Sequence, residues 1–289
     1  MRKKKGEHYH MKLPIPVVET IKKRHSVRTY KEKVLTPQDR NLLLEYMEQL
    51  DNPFGVVVKE YILDKTLSDT GEKLGTYGVI KGASTFLGIS IPDIEMAPVA
   101  AGYEFENLIL YATNMGLGTV WLAATFDRDA FSSAMEIPKG ELFPAISPVG
   151  YPAAELSENE MKMRAAMKSS TRKEWEELFF QDDFHTPLTK TMAGSYALPL
   201  EMVRLAPSAK NQQPWCVLKT NDTYHFYTTY KQDAPKDVEI VKQIDIGIAL
   251  SHFHQTVLEQ QLNGHFEKLP QGDIKIPEDL HYIISWKSE

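Results

Sequence analysis

The sequence predicts a fold that mixes helices with strands and repeats one arrangement of them in two related units. Two observations lead to this prediction. Apolar residues recur at helical spacing in two separate segments, and each segment is preceded by a turn that feeds a β-rich stretch. The chain of 289 residues is 42% hydrophobic and 25% charged, so it can bury a substantial core.

Local signals predict the first elements. A helix is expected at residues 14–23, and the segment 24–30 then breaks the helical pattern and is expected to be extended. Thr36 and Pro37 are the residue types of an N-cap and of a first helical position, which predicts a second helix that runs to residue 50.

The rest of the first unit combines strands with one long helix. Residues 55–63 are β-rich, and residues 103–115 carry an apolar stripe at helical spacing that ends at Gly116. The segment 141–150 predicts a short strand that leads into a turn. The stretch 153–172 is polar, rich in Lys and Glu and without a clear apolar period, so we expect it to link the two units.

The second unit repeats the pattern of the first. The shared features are a turn of polar residue, proline and aromatic residue that feeds a strand, then an apolar helical stripe, then a terminal strand. The matching pairs are 52–58 with 213–218, 105–115 with 246–257, and 142–148 with 280–286. Two related units therefore share one chain.

Composition and charge argue against several classes of protein. A net charge of -6 disfavours a general nucleic-acid binder, which needs an excess of Lys and Arg. Cys216 is the only cysteine, so we expect no disulfide, a reducing cytoplasmic environment and a buried thiol. Arg2–His10 lacks the apolar stretch of a signal peptide and is interpreted as a solvated tail. No apolar run approaches the roughly 20 residues that span a bilayer, so we expect no membrane role.

The segment Arg24-His25-Ser26-Val27-Arg28 contains the first candidate site. An extended backbone turns alternate side chains to opposite faces, so Arg24, Ser26 and Arg28 share one side. Two guanidinium groups and a hydroxyl suit a phosphate monoester and the electron-rich edge of a ring. A basic surface turn is the alternative interpretation.

The polar loop between Pro207 and Pro214 is the second candidate site. Pro207 is expected to end a helix that carries Leu200 and Val203, and Pro214 to begin a strand, so the loop is held at both ends. The loop offers hydroxyl and amide groups that suit a flat heterocycle, from Ser208, Asn211, Gln212 and Gln213.

These segments resemble motifs of one enzyme family. Residues 24–28 resemble the Arg-x-Ser-x-Arg/Lys motif of the FMN-dependent nitroreductases, and residues 206–215 resemble their Ala-Pro-Ser-x-x-Asn-x-Gln-Pro-Trp motif. Residues 116–122 are similar to the family's passage from helix to loop beneath the flavin. The similarity extends in outline from Pro14 to Trp286 and is strongest with the single-chain, tandem subfamily.

The resemblance implies an α+β, nitroreductase-like fold whose two half-domains form an intrachain pseudo-dimer. Each half is expected to pack helices on an antiparallel-rich sheet, with the flavin in the crevice between the halves. The halves are expected at residues 14–168 and 169–289. One chain would make the complete site, so a monomeric pseudo-dimer is expected.

The resemblance also assigns the cofactor contacts. Arg24 and Ser26 match the phosphate and ribityl contacts, with His25 between them, and Arg28 matches the cation beside the N1/O2 edge of the ring. The loop that covers the ring from the other half is matched by Pro207, Ser208, Ala209 and Asn211. The loop whose backbone N–H reaches flavin N5, where the family often has glycine or glutamate, is matched by Leu122, Ala123 and Ala124.

The last phosphate-binding arginine of the family is matched best by Arg172, with Arg164 as the competing choice. The segment Gly75–Lys81 is a further candidate to line the ring, and a surface turn is its alternative interpretation. We assign no catalytic acid or base and no metal site, because FMN carries the redox step.

The implied function is an FMN-dependent oxidoreductase that takes hydride from NADH or NADPH and then reduces a small acceptor, such as a nitroaromatic or quinone, in a ping-pong reaction. The alternatives are a dehalogenating or flavin-fragmenting enzyme of the same superfamily and a non-catalytic FMN carrier or sensor. One FMN per chain is expected, because the reciprocal segments 191–196 and 49–53 have no arginine and no serine, respectively.

Overall fold

The computed structural model describes residues 12–64, 75–272 and 274–289. The segment Arg2–His10, interpreted above as a solvated tail, lies outside the described residues. Within the three described ranges the chain forms eight α-helices and nine strands, and the strands belong to two sheets.

The first unit begins with two short helices and continues with strands around one long helix. In chain order its elements are α1 (Val17–Lys23), α2 (Pro37–Met47), β1 (Lys59–Asp64), β2 (Thr85–Ile91), α3 (Ala97–Asn114), β3 (Gly118–Thr119), α4 (Arg128–Ala134) and β4 (Leu142–Gly150). Helix α5 (Glu158–Ala166) follows the last of these strands.

The second unit has a similar succession of elements. They are β5 (Phe179–Gln181), α6 (Lys190–Ala193), α7 (Ala197–Leu205), β6 (Trp215–Thr220), β7 (Thr223–Thr229), α8 (Lys236–Glu259), β8 (Gly264–Glu267) and β9 (Leu280–Ser288). Short 3-10 turns occur at Trp175–Glu177, Gly194–Tyr196 and Ala209–Asn211.

Both sheets have the same strand order. The first is β1-β2-β4-β3, all antiparallel, and the second is β6-β7-β9-β8, also antiparallel, with β5 added parallel to β6. In each unit two helices precede the first of these four strands along the chain. A long helix then follows the second strand: α3 joins β2 to β3, and α8 joins β7 to β8. The two related units that the sequence predicts are therefore confirmed.

Strands β2 and β7 are not revealed by the sequence pattern. All seven residues of β2 are buried, and five consecutive residues of β7 are buried. Strand β2 is buried on both faces and has no alternation of polar and apolar residues, so the period of two that predicts a strand is absent. Strand β7 alternates only over residues 223–226, before its register shifts between Phe226 and Tyr227.

Several local predictions are confirmed. Helix α2 begins at Pro37, and the side chain of Thr36 accepts a hydrogen bond from the N–H of Asp39 at 3.1 Å. The segment 24–30 is extended and forms isolated β-bridges. Gly116 has a φ of +81° directly after the C-cap of α3, a conformation that glycine adopts at little cost.

Helix α3 is longer and more deeply buried than its apolar stripe predicts. It begins at Ala97 rather than near Tyr103, and 16 of its 18 residues are buried. The reason is its position, because α3 packs on the first sheet with one side and on α8 with the other. Helix α8 in turn packs on the second sheet, so polar residues of both helices become buried where the helices meet.

The segment 153–172 is more than a linker. It contains α5, which is capped by Ser157, whose Oγ accepts a hydrogen bond from the N–H of Glu160 at 3.2 Å. Glu160 is itself fully buried and accepts hydrogen bonds from Arg28 and Thr29 of the first unit. The polar composition predicts only a link between the two units. The boundary between residues 168 and 169 stays a prediction.

Two glycines bring α3 and α8 into backbone contact. A Cβ atom on Gly102 would overlap the carbonyl oxygen of Ile244, and a Cβ atom on Gly247 would overlap the carbonyl oxygen of Val99. Each glycine therefore meets the residue that lies three positions before the other glycine. The two contacts are related by exchange of the helices.

Two side-chain contacts show the same exchange. Ser251 Oγ donates to Asn107 Oδ1 at 2.8 Å, and His252 Nε2 lies 3.0 Å from Glu106 Oε1. Glu106 and Ser251 both lie four positions after the glycine of their helix, and Asn107 and His252 both lie five positions after it. The helix pair is thus nearly symmetric in geometry but not in chemistry.

The apolar core is divided between the two sheets. One part lies around α3 and the first sheet and includes Leu87 and Phe105. The other lies around α8 and the second sheet and includes Trp215, Phe253 and Trp286. None of the helices in the described ranges combines the length and the apolar character needed to cross a bilayer.

We predict that Gly102→Ala destabilises the chain. In an unconstrained helix this change stabilises by about 1 kcal/mol, but here the added methyl group meets the backbone of α8. Overpacking of this kind typically costs about 1–3 kcal/mol. Urea unfolding of the variant and the parent chain measures the difference. A variant as stable as the parent, or more stable, would contradict the close helix contact.

Candidate functional site

Three segments meet in a pocket at the junction of the two units. They are the 24–28 segment after α1, the 206–214 loop between α7 and β6, and the 164–172 segment that includes the end of α5. We call this space the arginine pocket. It is lined by Arg24, His25, Ser26, Arg28, Arg164, Met167, Ser169, Arg172, Pro207, Ser208 and Asn211.

Backbone pairing holds the 24–28 segment in place. Val27 N–H donates to the carbonyl oxygen of Thr119 at 2.9 Å. The Val27 side chain packs against Gly118, where a Cβ atom would lie only 2.8 Å from Val27 Cβ. Val27 is therefore buried. The side chains of Arg24, Ser26 and Arg28 line the pocket, together with that of His25.

The guanidinium groups of this segment are buried and short of partners. The Arg24 side chain is 6% exposed, and Glu106 Oε1 lies 3.8 Å from Arg24 Nε. Arg24 Nε and two nitrogens of Arg28, Nε and Nη1, have no hydrogen-bond partner among the residues that the structure describes. Buried guanidinium nitrogens that lack hydrogen bonds are costly, so this arrangement favours an anionic ligand.

Burial lowers the pKa values of Arg24 and Arg172. Burial lowers the pKa of Arg24, and the opposing effect of Glu106 is smaller. The pKa of Arg172 falls to about 10, through burial and through the positive charges of Arg24 and Arg204. Guanidinium groups remain protonated at neutral pH. The lowered pKa values therefore reflect guanidinium groups that are held away from water.

A buried carboxylate attaches the cationic segment to α5. Glu160 Oε2 accepts hydrogen bonds from Arg28 N–H at 3.1 Å and from Thr29 Oγ1 at 2.8 Å. Its other oxygen, Oε1, lies 3.6 Å from Arg164 Nη1. The α5 segment therefore forms part of the pocket wall and also fixes the backbone that carries Arg28.

The 206–214 loop has a strained backbone that is held by hydrogen bonds. Positive φ values, which non-glycine residues rarely adopt, occur at Lys210 (+52°), Asn211 (+54°) and Gln213 (+48°). Gln213 N–H donates to Ser208 Oγ at 2.8 Å, and Ala209 N–H donates to Asp245 Oδ1 of α8 at 2.9 Å. Strain of this kind persists only where the surroundings enforce it, and it is typical of functional loops.

The amide side chains of the loop bind other parts of the protein. Asn211 Nδ2 donates to the carbonyl oxygens of Lys168 at 2.9 Å and Thr171 at 3.1 Å. Gln213 Oε1 accepts from Lys173 N–H at 2.8 Å. The amides that the sequence suggests for a heterocycle therefore join the loop to the 168–173 segment and close one side of the pocket.

Comparison with known proteins identifies the family. The sequence model of the family described as "Putative TM nitroreductase" matches residues 16–257. The chain belongs to this nitroreductase family. Its fold is similar to that of a putative nitroreductase from Thermotoga maritima MSB8, with a TM-score of 0.59, 18% sequence identity and 99% of each chain covered.

Two further solved structures are similar to about half of this nitroreductase-family chain. One is a nitroreductase with bound FMN from Bacteroides fragilis NCTC 9343, with 22% identity, a TM-score of 0.40, and 50% of this chain and 92% of that chain covered. The other is a putative NADH dehydrogenase/NAD(P)H nitroreductase from Parabacteroides distasonis ATCC 8503, with 23% identity and the same TM-score and coverage. Among curated proteins, none matches the chain.

Residues 122–124 of the nitroreductase-family chain are not among those that line the arginine pocket. Leu122 is buried in the core, and its N–H donates to the carbonyl oxygen of Ile146 at 2.9 Å. The carbonyl oxygen of Ala123 accepts from Arg128 Nη2 at 2.6 Å. Because the N–H of Leu122 is engaged, this residue is disfavoured as the N5 contact. A role for Ala123 or Ala124 stays a prediction.

Both candidates for the last phosphate-binding arginine line the pocket. Arg172 Nη2 donates to the carbonyl oxygen of Leu205 at 3.1 Å, whereas Arg164 lies near Glu160. The choice between them stays open. The segment 75–81 runs beside the cationic segment, since Lys81 N–H donates to the carbonyl oxygen of Arg28 at 2.9 Å, but none of its residues lines the pocket.

Sequence reasoning missed three carboxylates that support the pocket. They are Glu106 of α3, Glu160 of α5 and Asp245 of α8. Glu160 had a local signal, because Ser157-x-x-Glu160 has the spacing of a capping box. Glu106 and Asp245 had none, because nothing local indicates that a charged residue of a long helix faces another element.

Asp245 makes the loop anchor sensitive to pH. Burial raises the pKa of Asp245 to about 7, although the Ala209 N–H and Lys242 act in the opposite direction. The folded chain therefore binds this proton more tightly than the unfolded chain does. The contribution of Asp245 to stability is complete below pH 4, its ordinary pKa being about 3.9, and is lost as the pH rises through about 7.

We predict that Asp245→Asn removes this pH dependence. Relative to the variant, the parent chain should lose up to about 4 kcal/mol of unfolding free energy between pH 4 and pH 8. Urea unfolding of both proteins across that range gives the difference at each pH, which cancels the titration of all other groups. Parallel curves for the two proteins would show that Asp245 keeps an ordinary pKa.

Proposed function

We propose that this nitroreductase-family chain binds FMN in the arginine pocket and uses it to pass electrons from NADH or NADPH to a small oxidised acceptor, such as a nitroaromatic or a quinone. One observation carries the proposal: the 24–28 segment and the 206–214 loop, which resemble the two motifs of a flavin site, line one pocket. In this proposal a single chain with halves 14–168 and 169–289 acts as a monomeric pseudo-dimer in the cytoplasm.

The donor set of the pocket suits the phosphate of FMN. Arg24 and Ser26 offer a guanidinium group and a hydroxyl, and Arg164 and Arg172 line the same space. A phosphate monoester carries close to two negative charges and accepts several charge-assisted hydrogen bonds. It would supply negative charge beside Arg24 and Arg28, whose buried nitrogens include three that lack partners among the described residues.

When bound, FMN would supply the hydride and electron transfer chemistry that the side chains cannot perform. The chain's own residues bind and orient. Arg28 is 7% exposed, is fixed through its backbone N–H by Glu160, and offers a buried cation for the electron-rich ring edge. Pro207 and Ser208 offer the covering loop. The resemblance to the family leaves Ala123 or Ala124 as the proposed N5 contact, although neither lines the pocket. No side chain is assigned as acid or base.

Anaerobic stopped-flow mixing of the FMN-loaded chain with NADH and with NADPH tests the proposal. We expect rapid bleaching of the flavin absorbance with at least one nicotinamide, and recovery when a nitroaromatic or quinone is added. A ping-pong reaction also gives parallel lines in double-reciprocal plots of the initial rate against acceptor concentration, measured at several fixed nicotinamide concentrations. Slow reduction by both nicotinamides would contradict the proposed activity and would favour a carrier or sensor. A chain that does not retain FMN would contradict the cofactor.

The reciprocal position between the two units is filled by aromatic rings. There the α6–α7 connection of the second unit corresponds to the 24–28 segment, and the α2–β1 connection of the first unit corresponds to the 206–214 loop. The ring of Phe54 lies 5.8 Å from that of Phe266, which lies 5.0 Å from that of Trp286. Trp286 Nε1 donates to the hydroxyl of Tyr196 at 3.1 Å. The rings therefore bridge the two connections.

The reciprocal position also contains a carboxyl group where the arginine pocket has cations. Asn52 Nδ2 donates to Glu104 Oε1, and burial together with Glu60 raises the pKa of Glu104 to about 9. The segments 191–196 and 49–53 contain no arginine. An FMN phosphate would find neither a guanidinium group from these segments nor free space between the rings.

We predict one FMN per chain. After saturation with FMN and desalting, flavin absorbance divided by protein concentration should give a ratio near one, because the arginine pocket provides cations whereas the reciprocal position is filled by aromatic rings. Ser208→Asp should bring the ratio close to zero, since a carboxylate in the pocket repels the phosphate. A ratio near two for the parent chain would show that the aromatic cluster opens to accept a second flavin.

We predict that Arg24→Ala weakens FMN far more than riboflavin. A charge-assisted contact with the phosphate contributes about 1.5–3 kcal/mol, and riboflavin has no phosphate. Fluorescence titration of both flavins into the apoprotein measures the two losses. Arg40→Ala, which removes an arginine that pairs with Asp64 away from the pocket, is the matched control. Equal losses for the two flavins would remove Arg24 from the phosphate site.

A further inference from the structure

A buried network stands behind Arg24, on the side of its guanidinium group that faces the helix pair. Glu106 of α3 and His252 of α8 are both fully buried. Glu106 Oε2 accepts a hydrogen bond from Trp121 Nε1 at 2.7 Å. Glu106 Oε1 lies 3.0 Å from His252 Nε2 and 3.8 Å from Arg24 Nε. One carboxylate thus contacts groups from three segments of the chain.

The imidazole of His252 is fixed at both of its nitrogens. His252 Nδ1 lies 3.0 Å from the carbonyl oxygen of Met202, which can only accept, so Nδ1 carries a proton. Nε2 faces the carboxylate of Glu106 at 3.0 Å. That second hydrogen bond requires a proton on either Nε2 or the carboxyl group. The ring is therefore held between α7 and α3, and it fixes Glu106 in turn.

The crossing of α3 and α8 contains a second contact that can be compared with the one between Glu106 and His252. The contact between Glu106 and His252 corresponds to the contact between Ser251 and Asn107, which is a neutral hydrogen bond of 2.8 Å. Both contacts are buried in the same helix crossing. A neutral pair is evidently sufficient to pack the helices. The ionisable pair occurs on the side where Arg24 approaches, which indicates a role beyond packing.

We propose that Glu106 and His252 are positioning residues for Arg24, which hold its Nε side so that the terminal nitrogens face the arginine pocket and the ligand's phosphate. The identity of that ligand as FMN rests on the proposed function. The backbone N–H of Arg24 donates to the carbonyl oxygen of Thr20 at 2.8 Å, but its side-chain Nε is buried and has no hydrogen-bond partner in the described ranges. The ion pair with Glu106 at 3.8 Å is therefore the contact that orients it.

The test compares FMN with riboflavin in variants of the whole chain. Glu106→Gln should weaken FMN about tenfold and leave riboflavin nearly unchanged, because the lost orientation affects only the phosphate contact. A purely electrostatic effect has the opposite sign, since loss of a negative charge beside Arg24 strengthens its attraction for phosphate. Tighter binding of FMN by Glu106→Gln would therefore overturn the proposal.

Ser251→Ala is the matched control, because it removes the exchange-related hydrogen bond from the same buried crossing. It should leave the ratio of FMN to riboflavin affinity unchanged. If Glu106→Gln and Ser251→Ala weaken both flavins equally, the role of Glu106 is structural and the proposal is wrong. His252→Gln lacks the imidazole ring whose two nitrogens contact Met202 and Glu106, so it should lower the same ratio. This variant replaces Glu106→Gln if Glu106→Gln does not fold.

A double variant separates this proposal from the proposed function. In the Arg24→Ala background, Glu106→Gln should cause no further loss in the FMN to riboflavin ratio, because the residue that it orients is absent. An additional loss would show that Glu106 acts independently of Arg24 and would overturn the proposal. A parent chain that binds neither flavin would instead contradict the proposed function.

Discussion

The close crossing of α3 and α8 is the contact on which the rest of the structure depends. Gly102 and Gly247 allow the two backbones to touch, and each helix packs on its own sheet. The distance between the two sheets is therefore set by backbone atoms rather than by adaptable side chains. The connections at the ends of the neighbouring short helices are brought together as a consequence, and the arginine pocket forms where two of them meet.

The arginine pocket depends on three buried carboxylates, each of which fixes a different part of its wall. Glu160 fixes the backbone of the cationic segment, Asp245 fixes the strained loop through Ala209 N–H, and Glu106 lies behind Arg24. Each carboxylate lies on one helix and contacts a residue of another segment of the chain. Positive charge that would otherwise repel can be assembled in this way, while enough of it stays uncompensated to attract an anion.

The two units share a topology but differ in what fills the space between them. On one side of the helix crossing the connecting segments carry arginines and a polar loop. On the other side Phe54, Phe266 and Trp286 fill the corresponding space, and the buried Glu104 is bonded to Asn52. The glycine contacts and the strand order are thus symmetric, whereas the side chains at the two clefts differ: one cleft is a polar pocket and the other is filled by aromatic rings.

The sequence by itself determined the duplication, the extended cationic segment and the polar loop held between Pro207 and Pro214, because turn residues, periodicity and motif spacing are local properties of the chain. It did not reveal strand β2 or the full burial of α3, since elements buried on every side lose the alternation that local patterns need. Strand β7 was also not predicted, because its alternation is short and is interrupted where its register shifts between Phe226 and Tyr227. Tertiary structure alone decided that Asn211 and Gln213 serve the 168–173 segment and that Glu106, Glu160 and Asp245 support the pocket. These contacts join residues that are distant in sequence, and their partners are chosen by the packing of helices and sheets rather than by any neighbour along the chain.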